Sequence, residues 1–225
     1  MTDLWRNSFN EIPFEKHFSW SDNFPPNQTE EKAPMKLRVI RYETPVAEID
    51  FSRPTVFLAG PTVRGNQTHL TSWRPAAVEL FEKKGFEGNI IIPEFSINTE
   101  SDKYRYDLPQ WEFGGLQGST VNMFWIPRTR ELIGLTTNHE HGYWMARERE
   151  KVVYGRPDDA YRMTYLDIMW VEDAKRRRSP WSNYTPPCPI YNTLEKTVDA
   201  TLKMVKEKLA IAECLKRLNS DRAFV

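Results

Sequence analysis

The sequence has few cysteines and no long hydrophobic run. Its 225 residues include only Cys188 and Cys214, too few for a disulfide framework and too far apart for a metal site built from close ligand pairs. No stretch approaches the roughly 18 consecutive apolar residues of a membrane-spanning helix, and the first residues lack the basic and apolar regions of a secretory signal. We therefore expect reduced cysteines, no membrane association and a cytoplasmic, or at least intracellular, protein.

An excess of charge of either sign is also missing. The chain has 31 lysines and arginines and 31 aspartates and glutamates, so no overall field favours a nucleic acid polymer or an anionic membrane as partner. The densest basic run, residues 175–178, could contact phosphates, but a short run before Ser179 and Pro180 more often forms a solvated helix end. We expect small molecules, not nucleic acid polymers, as ligands.

Standard cofactor and metal motifs are absent from the sequence. The segment GPTVRGNQ, residues 60–67, matches neither a dinucleotide-binding nor a triphosphate-binding loop, although Arg64 could meet an anion. His139 and His141 flank Glu140, but residues two apart on a helix point to different sides, unlike the histidines of an HExxH motif. We expect neither a metal ion nor a cofactor.

Two regions of the chain differ in pattern. Residues 1–34 are polar, rich in proline and carry scattered aromatics without periodicity, which indicates an N-terminal extension that packs across the domain or a neighbouring subunit. Residues 35–225 alternate apolar strands with amphipathic helices, as expected for an α/β domain whose parallel sheet is covered by helices on both faces. Such sheets bind ligands beyond the carboxyl ends of their strands, where the strand order reverses.

The hydrophobic periodicity and the capping residues predict individual elements. We expect Ser72, Asn138 and Thr193 to cap helices and Gly85 to end one. The predicted strands are MKLRVIRY, TVFLAG, NIII, TVNMFWI, KVVYG and PIY, and the predicted helices cover residues 73–84, 108–117, 138–149, 159–175 and 194–218.

Glu140 lies in the segment GLTTNHEHGYW, which we interpret as a helix start capped by Asn138. The partial positive charge at a helix N-terminus stabilises a carboxylate and would keep Glu140 ionised. Cleavage of a glycosidic bond generates an oxocarbenium-like sugar, so an anion at the anomeric carbon suits this reaction. The residue pattern alone leaves open, and even favours, an acid that merely complements the helix dipole.

A second acid, Glu112, follows Trp111 on the helix before the strand TVNMFWI. The loop beyond that strand leads to Glu140, so the two carboxyl groups could flank one pocket. A departing nucleobase needs a proton on its ring nitrogen, which a second carboxyl group can supply. A solvated helix acid is the alternative for Glu112, and Asp107 on the same segment competes for the role.

An ordered series of blocks resembles the nucleoside 2-deoxyribosyltransferase-like family. The blocks are VFLAGPT, SWRPAAVELFEKKG, QWE, FWIPR, GLTTNHEHGYW and KVVYGRPDDA, and they span about residues 53 to 200. The resemblance implies a flavodoxin-like fold, a nucleophilic Glu140 in EHGY, a base-contacting Glu112, a covalent deoxyribosyl-enzyme intermediate and homo-oligomers whose subunits help to close the pocket. The implied ligands are nucleosides or nucleotides and nucleobases.

The chain departs from the family pattern at Thr120, where relatives usually have aspartate, which puts the details of base recognition in doubt. Two other functions stay open: a hydrolase of nucleoside monophosphates, which would need a phosphate anchor such as Arg64 or Ser72, and a non-catalytic nucleotide-binding module. The residues expected to bind substrate beside the catalytic Glu140 and Glu112 are Gly60, Pro61, Thr62, Arg64, Trp73, Asp107, Trp125, Asn138 and Tyr143.

Overall fold

The structure is a computed structural model, and it describes residues 36–63, 67, 69–95, 104–177 and 188–222. At 104–106 and 221–222 it describes the backbone only. The expected N-terminal extension, residues 1–34, and the candidate anion contact Arg64 lie outside the described residues.

The described chain contains a five-stranded parallel sheet with the order β1-β3-β2-β4-β5. Five of the six predicted strands are confirmed. The sixth, PIY, contributes only an isolated bridge between Tyr191 and Gly155. The strands are β1 (Arg38–Arg41), β2 (Thr55–Ala59), β3 (Asn89–Ile92), β4 (Val121–Trp125) and β5 (Val152–Gly155).

Five α-helices connect and follow the strands, which confirms the flavodoxin-like α/β fold. Short 3₁₀ helices at Val46–Glu48 and Arg149–Lys151 complete the described elements. In the described segments, no helix is both long and apolar enough to cross a membrane. The helices are α1 (Arg74–Lys83), α2 (Tyr104–Gly118), α3 (Leu135–Glu148), α4 (Thr164–Arg176) and α5 (Leu194–Arg222).

The helix starts agree only in part with the predicted caps. Thr193 caps α5, and its Oγ1 accepts a hydrogen bond from the Lys196 amide at 3.1 Å. Asn138 was wrongly expected to cap α3, which begins three residues earlier after Gly134, in the left-handed region with φ 60°. A glycine adopts this conformation without steric cost, so a turn from Gly134, with no side-chain cap, starts the helix.

Two apolar layers hold the helices against the sheet. Because successive strand residues point to opposite faces, β4 sends Met123 into one layer and Phe124 into the other. The first layer packs against α1 and α5 through residues such as Phe81 and Val198. The second packs against α2, α3 and α4 through Trp111, Trp144 and Trp170.

The strand order reverses between β2 and β4, which places the topological switch point at the carboxyl ends of these two strands. The backbones approach closely there. A Cβ atom on Gly60, just after β2, would lie 2.2 Å from the Trp125 carbonyl oxygen of β4. A side chain at position 60 would therefore collide with backbone, and the structure needs glycine at this point.

Only the first part of α5 contributes to the core. Val205 is the last of its residues to be buried. Beyond it, large apolar side chains are exposed, including Ile211 and Leu215. The helix therefore continues past the body of the domain.

Candidate active site

Glu140 lies in the second turn of α3, because the helix begins at Leu135. The first turn contains no acidic residue, and the effect of the helix dipole on charge falls off beyond that turn. Burial raises the pKa of Glu140, against smaller opposing effects from the positive charges of Arg74 and His139. The expected position just inside the helix start was therefore wrong, and burial shifts the pKa of Glu140 upward, opposite to the direction expected from the helix dipole.

Glu112 is held in place by its two neighbours on α2. Trp111 lies in the core, where its indole nitrogen donates to the Thr44 carbonyl oxygen at 2.7 Å. Phe113 contacts the rings of Tyr143 and Trp144 on α3 at centroid distances of 5.7 and 5.6 Å. One neighbour thus anchors α2 to the sheet side and the other anchors it to α3, which leaves Glu112 between these helices.

Glu112 and Glu140 lie close enough for their charges to interact. Burial and the charge of Glu140 raise the pKa of Glu112 to about 8, while Arg74 opposes the shift. Two nearby carboxyl groups in a poorly solvated site do not both ionise readily. At neutral pH the arrangement favours a protonated Glu112, while the positive charges of Arg74 and His139 oppose the upward shift in the pKa of Glu140.

Arg74 is a charged residue of the candidate site that the sequence analysis did not single out. Its side chain is fully buried at the start of α1. Its guanidinium group donates to the carbonyl oxygens of Leu58 and Gly60 at 3.0 and 2.8 Å. These carbonyls belong to the end of β2, so Arg74 places a positive charge directly at the switch point.

Glu94, just after β3, supplies the counter-charge to Arg74. The Arg74 NH1 atom contacts its carboxylate at 2.6 Å, and the Ser72 hydroxyl donates to the same carboxylate at 2.8 Å. Ser72 also accepts from the Arg74 amide at 3.2 Å, but the N-cap position of α1 belongs to Trp73. The sequence offered two signals for this pair. Arg74 stands before the proline at the start of α1, and Glu94 follows shortly after the strand β3.

The loop after β2 connects the switch point to α3. The Pro61 carbonyl oxygen accepts from the Trp73 indole nitrogen at 3.2 Å. A Cβ atom on Gly134 would lie 2.7 Å from Cγ of Pro61, so the proline ring packs directly on the N-cap of α3. Thr62 is half-buried in the same loop. Gly60, Pro61 and Trp73 therefore form one packed unit beside the start of the helix that carries Glu140.

The other expected binding residues are more dispersed. Tyr143 is half-buried between Phe113 and Trp144. The Trp125 side chain is buried in the layer that faces α1 and α5, the opposite layer from Trp144. Asp107 is exposed in the first turn of α2. The structure thus brings Tyr143 against Phe113, the neighbour of Glu112 in the sequence, whereas Trp125 contributes its backbone carbonyl group to the switch point.

Thr120 lies at the amino end of β4, opposite the carboxyl edge of the sheet. Its Oγ1 accepts a hydrogen bond from the Thr55 amide at 3.0 Å, and its own amide donates to the Thr55 carbonyl oxygen at 2.8 Å. Thr120 therefore joins the starts of β2 and β4. At this position the Thr120 side chain contributes to the sheet, away from the switch point.

The two histidines beside Glu140 point in different directions. His139 is exposed, whereas His141 is buried against the rings of Phe124, Tyr154 and Trp170. Burial lowers the pKa of His141 to about 3, so this ring is neutral.

Throughout the described ranges, no group of three or more histidine, cysteine, aspartate or glutamate residues is arranged to hold a metal ion.

The cluster therefore combines two interacting carboxyl groups with a fixed cation. Glu112 can donate a proton near neutral pH, and the charge of Arg74 favours the ionised form of both carboxyl groups. Carboxyl groups whose pKa values are pushed apart are typical of acid and nucleophile pairs in glycoside cleavage.

No match to this chain was found among protein-family models, and a search of curated proteins found none either.

Proposed function

We propose that this protein cleaves the N-glycosidic bond of a 2-deoxynucleoside through Glu140 and transfers the sugar to another nucleobase, as a nucleoside 2-deoxyribosyltransferase. The observation that carries the proposal is the interaction of the half-buried Glu112 and Glu140, with the pKa of Glu112 raised to about 8. The choice of a nucleoside as substrate is supported by the ordered sequence blocks that surround both residues.

In the first step a carboxylate oxygen of Glu140 attacks the anomeric carbon, and the carbon–nitrogen bond to the base breaks. The bonding electrons pass to the ring nitrogen, which takes the proton of Glu112. The products are a free base and a sugar ester of Glu140. In the second step the nitrogen of an acceptor base attacks the anomeric carbon of this ester, and the bond from that carbon to the Glu140 oxygen breaks. Glu112 takes up the proton that the acceptor nitrogen loses, and Glu140 is released as a carboxylate.

Arg74 supports both steps without contacting the reacting atoms. Its positive charge opposes the rise in the pKa of both carboxyl groups, in the direction that favours the carboxylate form of Glu140 that the mechanism needs. Its hydrogen bonds to Leu58 and Gly60 fix the loop beside the site. Arg74 is therefore a positioning residue in the proposed mechanism.

The test is base exchange by the purified chain. A 2-deoxynucleoside is incubated with a different free nucleobase, and the new deoxynucleoside is measured by liquid chromatography. We expect exchange with retention of the anomeric configuration, because two displacements at one carbon restore it. A quench without acceptor should leave the sugar mass on the peptide that contains Glu140.

Two outcomes would change the assignment. Release of free base and sugar at the same rate with and without acceptor would indicate an N-glycoside hydrolase, and faster release from the 5-phosphate would indicate a nucleotide hydrolase. An inverted product would exclude the covalent intermediate, since a single displacement would then account for the reaction.

A further inference from the structure

A cavity of about 500 Å³ lies between the starts of α3 and α4. Three arginines line it together with tyrosine and aliphatic side chains. No aspartate or glutamate is among its lining residues, which are Arg128, Arg130, Ile133, Leu135, Asn138, Tyr161, Arg162, Tyr165 and Leu166.

Arg128 is the buried cation of this cavity, with only 5% of its surface exposed. Its NH2 atom donates to the Asn138 side-chain oxygen, but its buried Nε atom has no hydrogen-bond partner. An unpaired donor on a buried charged group costs free energy, which an anion in the cavity would recover. Burial also lowers the pKa of Arg128, because the charged guanidinium group is poorly solvated there.

Arg130 and Arg162 both lie close to the ring of Tyr161. Their guanidinium carbons lie 5.3 and 5.1 Å from the centre of the Tyr161 ring. In the part of the chain that the structure describes, neither these two arginines nor Arg128 makes an ion pair with a carboxylate. Three positive charges therefore share one cavity without a neutralising partner.

The backbone around the cavity points to the same ligand chemistry. Arg162 has a φ of 52°, in the left-handed region that residues other than glycine, asparagine and aspartate rarely adopt. Helices α3 and α4 both begin at this cavity without a side-chain cap, so their first backbone amides add positive potential. Such strain is often found at binding sites, where the surroundings maintain it.

We propose that this cavity binds a phosphate group, either as free phosphate or on a small molecule whose apolar or aromatic part contacts Tyr165 and the aliphatic wall. Arginine forks match phosphate oxygens, and the amides at two helix starts suit the same group. This site is separate from the carboxyl pair. Asn138 lines the cavity, whereas Glu140 follows two residues later, about 200° around the helix.

Isothermal titration of the full chain with inorganic phosphate, deoxyadenosine monophosphate and deoxyadenosine tests the proposal. We expect both phosphates to bind, with affinity that falls as salt rises, and deoxyadenosine to bind without this salt dependence or not at all. Tighter binding of the monophosphate than of phosphate would identify a nucleotide-like ligand. Equal affinity of the two would identify phosphate itself as the recognised group.

Matched variants separate the cavity from general electrostatics. Arg130→Gln and Arg162→Gln should each weaken phosphate binding roughly 10-fold or more, as expected for loss of a charge-assisted contact. Arg176→Gln removes the same charge from the exposed far end of α4 and should leave the affinity within about twofold, since exposed charges there are screened. Glu140→Gln should also bind phosphate as the unmodified chain does, which distinguishes this site from the proposed catalytic one.

Arg162→Gly gives an independent measurement that a purely structural arginine would not satisfy. Glycine accepts the φ of position 162 without strain, so this variant should lose phosphate affinity without a lower melting temperature. Absence of phosphate and monophosphate binding to the unmodified chain would overturn the proposal. Binding that both glutamine variants retain in full would overturn it as well.

Discussion

The two sides of helix α3 carry opposite chemistry. Toward α2, Glu112 and Glu140 form a poorly solvated acidic pair whose charge is partly offset by Arg74. Toward α4, three arginines line a cavity that contains no acid. At the acidic pair, where a covalent step is proposed, Arg74 offsets part of the negative charge. In the arginine cavity no protein carboxylate offsets the positive charge, and a bound anion is proposed to do so. Helix α3 can therefore contribute to the proposed catalytic pair on one side and to the proposed phosphate site on the other, without the charges of the two sites neutralising each other.

The largest expected effect on activity comes from a substitution in the acidic pair alone. Glu140→Gln should lower base exchange roughly 10³-fold or more, because an amide cannot form the sugar ester. Steady-state rates with circular dichroism as a folding control measure this effect. Glu150→Gln removes an exposed acid after the same helix and should keep near wild-type rates. Equal rates for Glu140→Gln and the control would transfer the nucleophile role to another acid.

Removal of the cation tests how the acidic side is balanced. Arg74→Met leaves Glu94 without its counter-charge and removes the guanidinium donor from the carbonyl oxygens of Leu58 and Gly60, so we expect a loss of about 3 to 5 kcal/mol in the free energy of unfolding. Urea denaturation measures it, with the exposed Arg217→Met as the matched control.

The double variant Arg74→Met with Glu94→Leu should lose less stability than Arg74→Met alone, since no uncompensated acid then remains. An equal or larger loss in the double variant would show that the backbone hydrogen bonds of Arg74, not the charge pair, determine the effect.

The pH dependence of activity tests the role of the proton on Glu112. With its pKa raised to about 8, Glu112 is protonated at neutral pH, so activity should fall as pH rises through that value. Glu112→Gln should lower the rate by about 10²-fold for poor leaving bases and abolish this alkaline limb. A pH–rate profile that keeps the limb in the variant would remove the proton-donor role.

The same shift has a consequence for stability. A carboxyl group with a raised pKa binds more protons in the folded than in the unfolded state, so stability falls as pH rises from the unfolded value of 4.5 toward about 8. Glu112→Gln should flatten this fall, and thermal melts from pH 5 to about 9 would detect the change.

The smallest expected effects concern the glycine that joins α3 to the switch point. Gly134→Ala meets the Pro61 ring at 2.7 Å in addition to an unfavourable φ of 60°, whereas Gly85→Ala has a φ of 69° and no neighbour within 4 Å. We expect Gly85→Ala to cost about 1 kcal/mol and Gly134→Ala about 1 to 3 kcal/mol more. Equal losses in chemical denaturation would mean that the contact with Pro61 relaxes freely.

Periodicity predicted the sheet but not the environment of the acids. The apolar runs of β2, β4 and β5 are buried on both faces, so the sequence identified them readily. The juxtaposition of Glu112 and Glu140 followed from the order of elements. The direction of the pKa shift did not, because burial depends on packing from α2, α3 and the sheet together.

Local rules failed where tertiary contacts took over a side chain. Asn138 resembles a helix cap, but its side chain accepts from Arg128, and α3 starts at Gly134. Arg74 resembles a solvent-exposed helix residue, yet it is completely buried. Both residues bind groups that are distant in sequence, which single-sequence patterns do not reveal.

The length of α5 implies a gradient of local stability along the chain. Its 29 residues extend over about 44 Å, but burial ends at Val205. Beyond that point each turn is held by its own backbone hydrogen bonds and by exposed pairs such as Arg217 with Glu213. A helical segment with so little tertiary support is marginal in water. Its amides should therefore open at a small fraction of the free energy needed to expose Val198, and unfolding should proceed from the C-terminal end of α5 toward the sheet.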